Sequence, residues 1–321
     1  MQTLLDELFA ALTGTLNRVV SKSALSQARQ KLKHTAFIAL NERLLCSLAT
    51  LLPEPRWRGL RLLAADSTTV RLPPWPENQD EFGVQSDTSG QPYVLARGLG
   101  LYATAPRLML HAVLGRYDDG ERALLVRLLP QLDENDLLIV DRGFPAVWLF
   151  AGLQQLQRHF LARMDGTQWP EVKALLRSSQ TETVFTRKVS DHARRKAKAA
   201  GFELAATTLT VRLIKVVLPS GQIEVLATSL LDDMAYPASD FASLYHERWG
   251  LEEAFKLIKH RLNVEQFTGE LPESIRQDFH AKIFTANLAQ ALARSAYETL
   301  PDGSSSPFLG NLLIIMKKTY K

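Results

Sequence analysis

The 321-residue sequence predicts an α/β fold built on a mixed sheet, and three observations carry that expectation. Apolar runs of strand length stand in the order strand, strand, strand, helix, strand, and a helix and a fifth strand follow. The hydrophobic content of 46% suits a sizeable core. A segment of weaker pattern then separates this block from a second helical region, as an insertion would.

Residues 1–56 read as a helical domain. "LLDELFAALTGTLNRVV" is followed by "SALSQARQKLKHTAFIALNERLLCSLATLL", with Ser23 expected as its N-cap and "SKS" as the break between two packed helices. The basic residues here (Arg18, Lys22, Arg29, Lys31, Lys33) suit contacts to phosphates or equally the solvated face of a bundle. The rest of the chain carries no excess charge, so all of the net +4 resides in the first 60 residues. Cys46, the single cysteine, lies in an apolar run and is expected to be a buried small hydrophobe. That usage fits a reducing, intracellular setting. No segment has the length of a membrane span, and the N-terminus has acids where a secretory signal needs positive charge.

Residues 57–164 form the first part of the α/β core. "LRLLAADSTTVRLP" is an apolar run expected to end on Asp66. "YVLARGLGLYAT" and "RLMLHAVLGRY" are two further strands, and "GERALLVRLLPQL" is a helix. "DLLIVDRGF" is a buried strand ending on Asp141, followed by the helix "AVWLFAGLQQLQ" and the strand "HFLARM". Residues 165–231 are expected to be a β-rich insertion, with a hairpin in "LTVRLIKVVLPSGQIEVLATSL" turning at Ser220 and Gly221. The basic segment "RRKAK" within it is either a DNA grip or a solvated loop. Residues 232–300 complete the core with two helical runs, and 301–321 form a short tail.

The chemistry concentrates in "YHERWGLEEAFKLIK", residues 245–259. On a wheel of about 100° per residue, Leu244, Leu251, Phe255, Ile258 and Leu262 share an arc of about 60° that faces the core. Arg248, Lys259, Glu252 and Tyr245 fill the adjoining arc, whereas Glu253 points away. A carboxylate at the edge of a core needs partners, and Asp66 and Asp141, each at a predicted strand end, are the available ones. Either aspartate alone reads equally as a turn former or helix cap. Three converging carboxylates repel one another unless a divalent cation lies between them. Mg²⁺, which takes oxygen ligands and keeps positions for water and phosphate, suits that place. Two such ions would serve phosphoryl transfer on nucleic acid.

The ordered set "AADST" around Asp66, "VDRGF" around Asp141 and Tyr245, Arg248, Glu252, Lys259 resembles the motifs of the insertion-sequence 4 family of DDE transposases, whose signature is Y-R-E-K. "SALSQARQKL" is similar to that family's N-terminal region, and the resemblance runs from about residue 20 to 295. It implies an RNase H-like five-stranded core with a β-rich insertion. It also implies catalytic Asp66, Asp141 and Glu252 holding two Mg²⁺ ions, for which Mn²⁺ can substitute. Tyr245, Arg248 and Lys259 would contact DNA phosphates, and Trp249 would help hold a base flipped from the duplex end. Trp169 is a weaker counterpart of the family's insertion tryptophan. The implied activity is cut-and-paste transposition through a hairpin, with inverted repeats and target DNA as partners, a homodimer in the synaptic complex, and the bacterial cytoplasm as setting. A nuclease without strand transfer and a non-catalytic DNA-binding descendant are the rival readings.

Overall fold

The computed structural model describes residues 21–51, 55–167, 169–218, 221–256, 258–259 and 265–298. The first expected helix, Ser220 and Leu262 lie outside them.

The long N-terminal helix is divided. Helix α1 (Lys22–Lys31) is capped by Ser21, whose Oγ accepts from the Ala24 N–H at 3.1 Å, two residues ahead of the expected cap. Helix α2 spans Thr35–Leu51. The break falls at Leu32, which is extended. Its cause is tertiary: Gln277 Nε2 donates to the carbonyls of Arg29 and Leu32 at 3.0 and 2.5 Å, taking acceptors that a continuing helix would use itself. Cys46 is exposed, against expectation. The inward side of α2 is set by Asn41, which is buried, with Leu44, Leu45 and Leu48 half-buried, and Cys46 is turned about 140° from Asn41.

Strand β1 (Arg61–Leu72) is the hinge of the sheet. After helix α3 (Pro76–Phe82) and the short β2 (Val84–Ser86) come β3 (Pro92–Ala103) and β4 (Leu108–Arg116). β1, β3 and β4 form an antiparallel meander, with a register shift in the β3–β4 ladder at Leu101/Tyr102. Helix α4 (Glu121–Leu128) crosses to β5 (Asp136–Val140), and α5 (Val147–Gln155) crosses to β6 (His159–Arg163). Both β1–β5 and β5–β6 are parallel. The path β4-β3-β1-β5-β6, a meander joined to two parallel strands by helical crossovers, is the expected RNase H-like mixed sheet.

The segment between 165 and 231 contributes α6 (Pro170–Arg177), β7 (Glu182–Lys188), α7 (Asp191–Ala199), β8 (Thr208–Val217) and β9 (Ile223–Thr228). The expected β8–β9 hairpin is present, with Gly221 at φ +81° beside the turn. β9 pairs antiparallel with β6, so these strands prolong the core sheet to nine strands among the described residues. "RRKAK" is not a loop. It lies in α7, whose N-cap Ser190 accepts from the Ala193 N–H, and it leaves Arg195, Lys196 and Lys198 exposed.

Helices α8 (Phe241–His246), α9 (Trp249–Lys256) and α10 (Pro272–Glu298) follow. One core cluster joins one face of the sheet to α4 and α5, and two others join the opposite face to α8, α9 and α10. Among the described residues no helix is long and apolar enough to cross a membrane.

The N-terminal helices are locked to the core by a buried amide pair. Asn287 of α10 accepts from the Met109 N–H at 2.9 Å and donates to Met109 O and to Asn41 Oδ1, each at 2.7 Å. Truncation strands these groups in a dry place. Asn287→Ala is therefore expected to lower the free energy of unfolding by about 3 kcal/mol. Urea denaturation followed by circular dichroism checks this.

Candidate active site

Strand register brings the two aspartates together. The last β1–β5 pair is Ala65↔Val140, so Asp66 and Asp141 leave the parallel ladder side by side. Side chains alternate across a sheet. Leu63, Ala65, Leu138 and Val140 enter the core cluster under α4 and α5, which turns Asp66 and Asp141 to the face covered by α8 and α9. The expectation that β1 ends at Asp66 is corrected: β5 stops there, while β1 continues to Leu72 against β3. Asp66 thus gains an open flank without a strand end. Across β3 it faces Gly100, where an added Cβ would stand 3.0 Å from Phe255 Cζ and 2.5 Å from Met109 Sδ. The missing side chain lets α9 lie close to the sheet.

The single helix expected over residues 244–262 is interrupted at Glu247–Arg248. Through this junction Arg248, Gly250 and Leu251 each donate to the carbonyl three residues earlier, at 3.0–3.2 Å, so the chain tightens into 3₁₀ form between α8 and α9. The inward stripe survives the change. Leu244 packs into one cluster, and Leu251, Phe255 and Ile258 into the next. Glu253 is exposed and pairs with Lys256 at 2.7 Å.

The stripe meets the two aspartates through two hydrogen bonds, and a third lies within it. Tyr245 donates its hydroxyl to Asp141 Oδ1 at 3.0 Å. Arg248 donates Nη1 to Asp66 Oδ2 at 3.0 Å and Nη2 to Glu252 Oε1 at 2.5 Å. Its side chain is only 4% exposed, and Nε is buried with no hydrogen-bond partner among the described residues. The Arg248 guanidinium also stands over the Tyr245 ring, 5.7 Å from its centroid, and this contact joins the two sets into one group of Asp66, Asp141, Glu252, Tyr245 and Arg248.

The other expected site residues are dispersed. Lys259 donates to the Thr69 carbonyl at 3.1 Å and lies 3.6 Å from Glu265, about 10 Å farther along β1 than Asp66. Trp249 is 49% exposed, stacks on His246 and lines a cleft of about 450 Å³ with Tyr102, Thr104 and Arg107. Trp169 is buried between Phe150 and Phe185 with the Arg187 guanidinium over its ring, so its faces are already covered. Arg29 faces inward, not outward: it bonds Gln277 at 2.9 Å and Asp278 at 2.8 Å, docking α1 on α10. Lys31, in the last turn of α1, is exposed.

Burial raises the Asp66 pKa to about 6, with Glu121 and Asp141 adding repulsion, against the lowering influence of the Ser67 N–H and Arg248. Burial likewise pushes Tyr245 well above the usual phenol range. For Arg248 burial works against the charge, but Tyr245, Glu252, Asp141 and Asp66 outweigh it and raise the pKa. Among the described residues no three His, Cys, Asp or Glu side chains stand close enough to hold a metal ion, because Arg248 lies between Asp66 and Glu252. The donors nevertheless fit one chemically. They are hard carboxylate oxygens, the ligand type that Mg²⁺ takes, and Asp66 and Asp141 leave the parallel β1–β5 ladder side by side.

Glu121 was not anticipated as a neighbour of this group. It reads in sequence only as the acidic first residue of a helix, yet its Oε1 accepts from Ser67 Oγ at 2.5 Å, directly beside Asp66.

Residues 57–288 match the family model for the transposase DDE domain. The chain is 28% identical over 281 residues to the transposase InsG for insertion sequence element IS4 of Escherichia coli K12. That alignment covers 84% of this chain and 61% of the relative, so the chain spans less than two thirds of the relative's length. A piggyBac transposase synaptic complex with hairpin DNA superposes with a TM-score of 0.47 at 12% identity, over 81% of this chain and 53% of that one.

The Asp66 pKa sets a pH dependence. Because the folded value of about 6 exceeds the ordinary 3.8, the native state holds the proton more tightly. The resulting stabilisation is complete below about pH 4 and is lost as pH rises through about 6. Asp66→Asn is expected to remove a change on the order of 2 kcal/mol between those limits. Urea unfolding of both proteins at pH 4 and 7 with chelator present measures it.

Proposed function

The chain belongs to the family of DDE transposases of the insertion-sequence 4 type, and from that premise we propose that it cuts DNA at the inverted-repeat ends of an insertion sequence and joins them to a target. The observation that carries the reading is the convergence of Asp66, Asp141 and Glu252 through Tyr245 and Arg248. Acids gathered at the edge of the core around one buried arginine, with the Asp66 carboxyl strongly perturbed, are the pattern of a functional centre as well as a structural tie.

In this reading Asp66 and Asp141 hold the divalent cation, and Glu252 joins them once Arg248 lets it go. A divalent cation held there would activate a water or the 3′-hydroxyl of the cut strand and would stabilise the leaving oxygen. Arg248 exchanges its carboxylate partners for a phosphate of the cut end, for which its fork of donors is suited. Tyr245 turns its hydroxyl from Asp141 to the same strand, and Lys259 leaves the Thr69 carbonyl for the next phosphate. Trp249, already half in solvent, stacks on a base displaced from the duplex end, offsetting an unpairing cost of a few kcal/mol. Lys31 and the exposed Arg195, Lys196 and Lys198 of α7 contact the flanking backbone, and contacts of this kind weaken with salt. Cutting through a hairpin, and a dimer with one copy at each end, complete the reading.

The test is incubation of the protein with DNA carrying candidate inverted repeats and Mg²⁺. Asp66→Ala and Glu252→Ala are expected to lose at least about a hundredfold in cleavage, the range seen on removing one group that stabilises transition-state charge. Cleavage at the wild-type rate would refute the assignment. Hydrolysis without joining would instead support a nuclease.

A further inference from the structure

Glu121 begins α4 directly after Gly120, and an acidic residue there already suits the helix dipole. That alone would not turn its side chain toward other carboxylates, a placement electrostatics disfavours. Yet it reaches both β1, beside Asp66, and the turn that leaves β5. Oε1 accepts from Ser67 Oγ at 2.5 Å, and the Ser67 N–H donates to Asp66 Oδ1 at 2.7 Å, so Ser67 links the two acids. Oε2 lies 2.6 Å from where a Cβ on Gly143 would stand. Gly143 belongs to the turn leaving β5, closed by the Phe144 N–H bond to the Asp141 carbonyl at 3.0 Å. One carboxylate therefore packs against the residue after Asp66 and the second residue after Asp141. Arg97 Nη1 forms an ion pair with Oε1 at 3.8 Å, which offsets part of the repulsion between the acids but is too long to orient the carboxylate as a hydrogen bond would.

We propose that Glu121 is a positioning residue of this centre: through Ser67 and the Gly143 turn it holds Asp66 and Asp141 in the mutual orientation in which they take a divalent cation. The inference rests on the reading that these aspartates bind the metal. It accounts for the glycine at 143, because any side chain there would displace the Glu121 carboxylate.

The experiment uses the full chain without DNA and measures free Mn²⁺ by electron paramagnetic resonance. Glu121→Gln and Gly143→Ala are each expected to weaken Mn²⁺ binding about tenfold, the lower end of the range for losing a residue that orients a ligand. The double variant should lose little more, since both changes disable one device. Melting temperatures without divalent ions should stay at the wild-type value, and Glu121→Asp should recover part of the affinity. Should Glu121→Gln fail to fold, Ser67→Ala, which removes only the link, must show the same loss. Wild-type Mn²⁺ affinity in Glu121→Gln, with affinity abolished in Asp66→Asn, overturns the role of Glu121 and leaves the metal reading standing. Unchanged affinity in Asp66→Asn overturns both.

Discussion

The Arg248 guanidinium, almost wholly removed from water, needs compensating charge, and it finds Asp66 on β1 and Glu252 on α9. A buried cation left unpaired costs several kcal/mol, so both contacts are strongly constrained once the arginine is inside. They fix the helix to the sheet at a specific place. Apolar packing alone would leave that place less defined, because the inward stripe is divided here: Leu244 enters one cluster and Leu251 another. The 3₁₀ junction that carries Arg248 falls at this division. Tyr245 adds the bond to Asp141, so β1 and β5 are each tied by a polar contact to the segment covering them.

The sheet makes this possible by its mixed direction. β1 has an antiparallel neighbour, β3, along most of its length and a parallel neighbour, β5, for only part of it. Where β5 stops, the ladder opens, and the edge of β1 beyond Ala65 has no parallel strand beside it among the described residues. Open α/β sheets place their ligand sites at such crevices outside strand ends. Continuation of β1 past Asp66 keeps its backbone in a ladder, while the Gly100 opposite brings α9 close enough for Glu252 to share the arginine.

The segment between 165 and 231 serves the same end from the far side. Its strands extend the sheet through β6 and β9. Arg212 on β8 donates to Glu182 Oε2 and to the Tyr236 carbonyl, each at 2.7 Å, and so ties the insertion to the stretch leading into α8. An arginine 1% exposed in that role orders the approach to Tyr245 and Arg248 as a hydrophobe could not, because it satisfies a backbone acceptor on a loop.

Much of the site was legible because it depends on local periodicity. The run "DLLIV" is a strand whatever surrounds it, and the spacing of Leu244, Leu251, Phe255 and Ile258 puts Tyr245, Arg248 and Glu252 beside the core even through a tightened junction. The same wheel separates Glu252 from the exposed Glu253. What it could not supply were partners far away in the chain. Gln277 ends α1 from about 250 residues downstream, Arg29 is drawn inward by Asp278, and Trp169 is covered by Phe150 and Phe185. Cys46 faces out because α2 turns Asn41 to the core. Glu121 reaches Ser67 across 54 positions. The sequence by itself determined the elements, their inward faces and which acids lie at the edge of the core, since periodicity acts within a few turns. Only the tertiary structure decided that Arg248 bridges two of those acids and that Glu121 stands behind a third contact, since those pairings arise when separate elements dock.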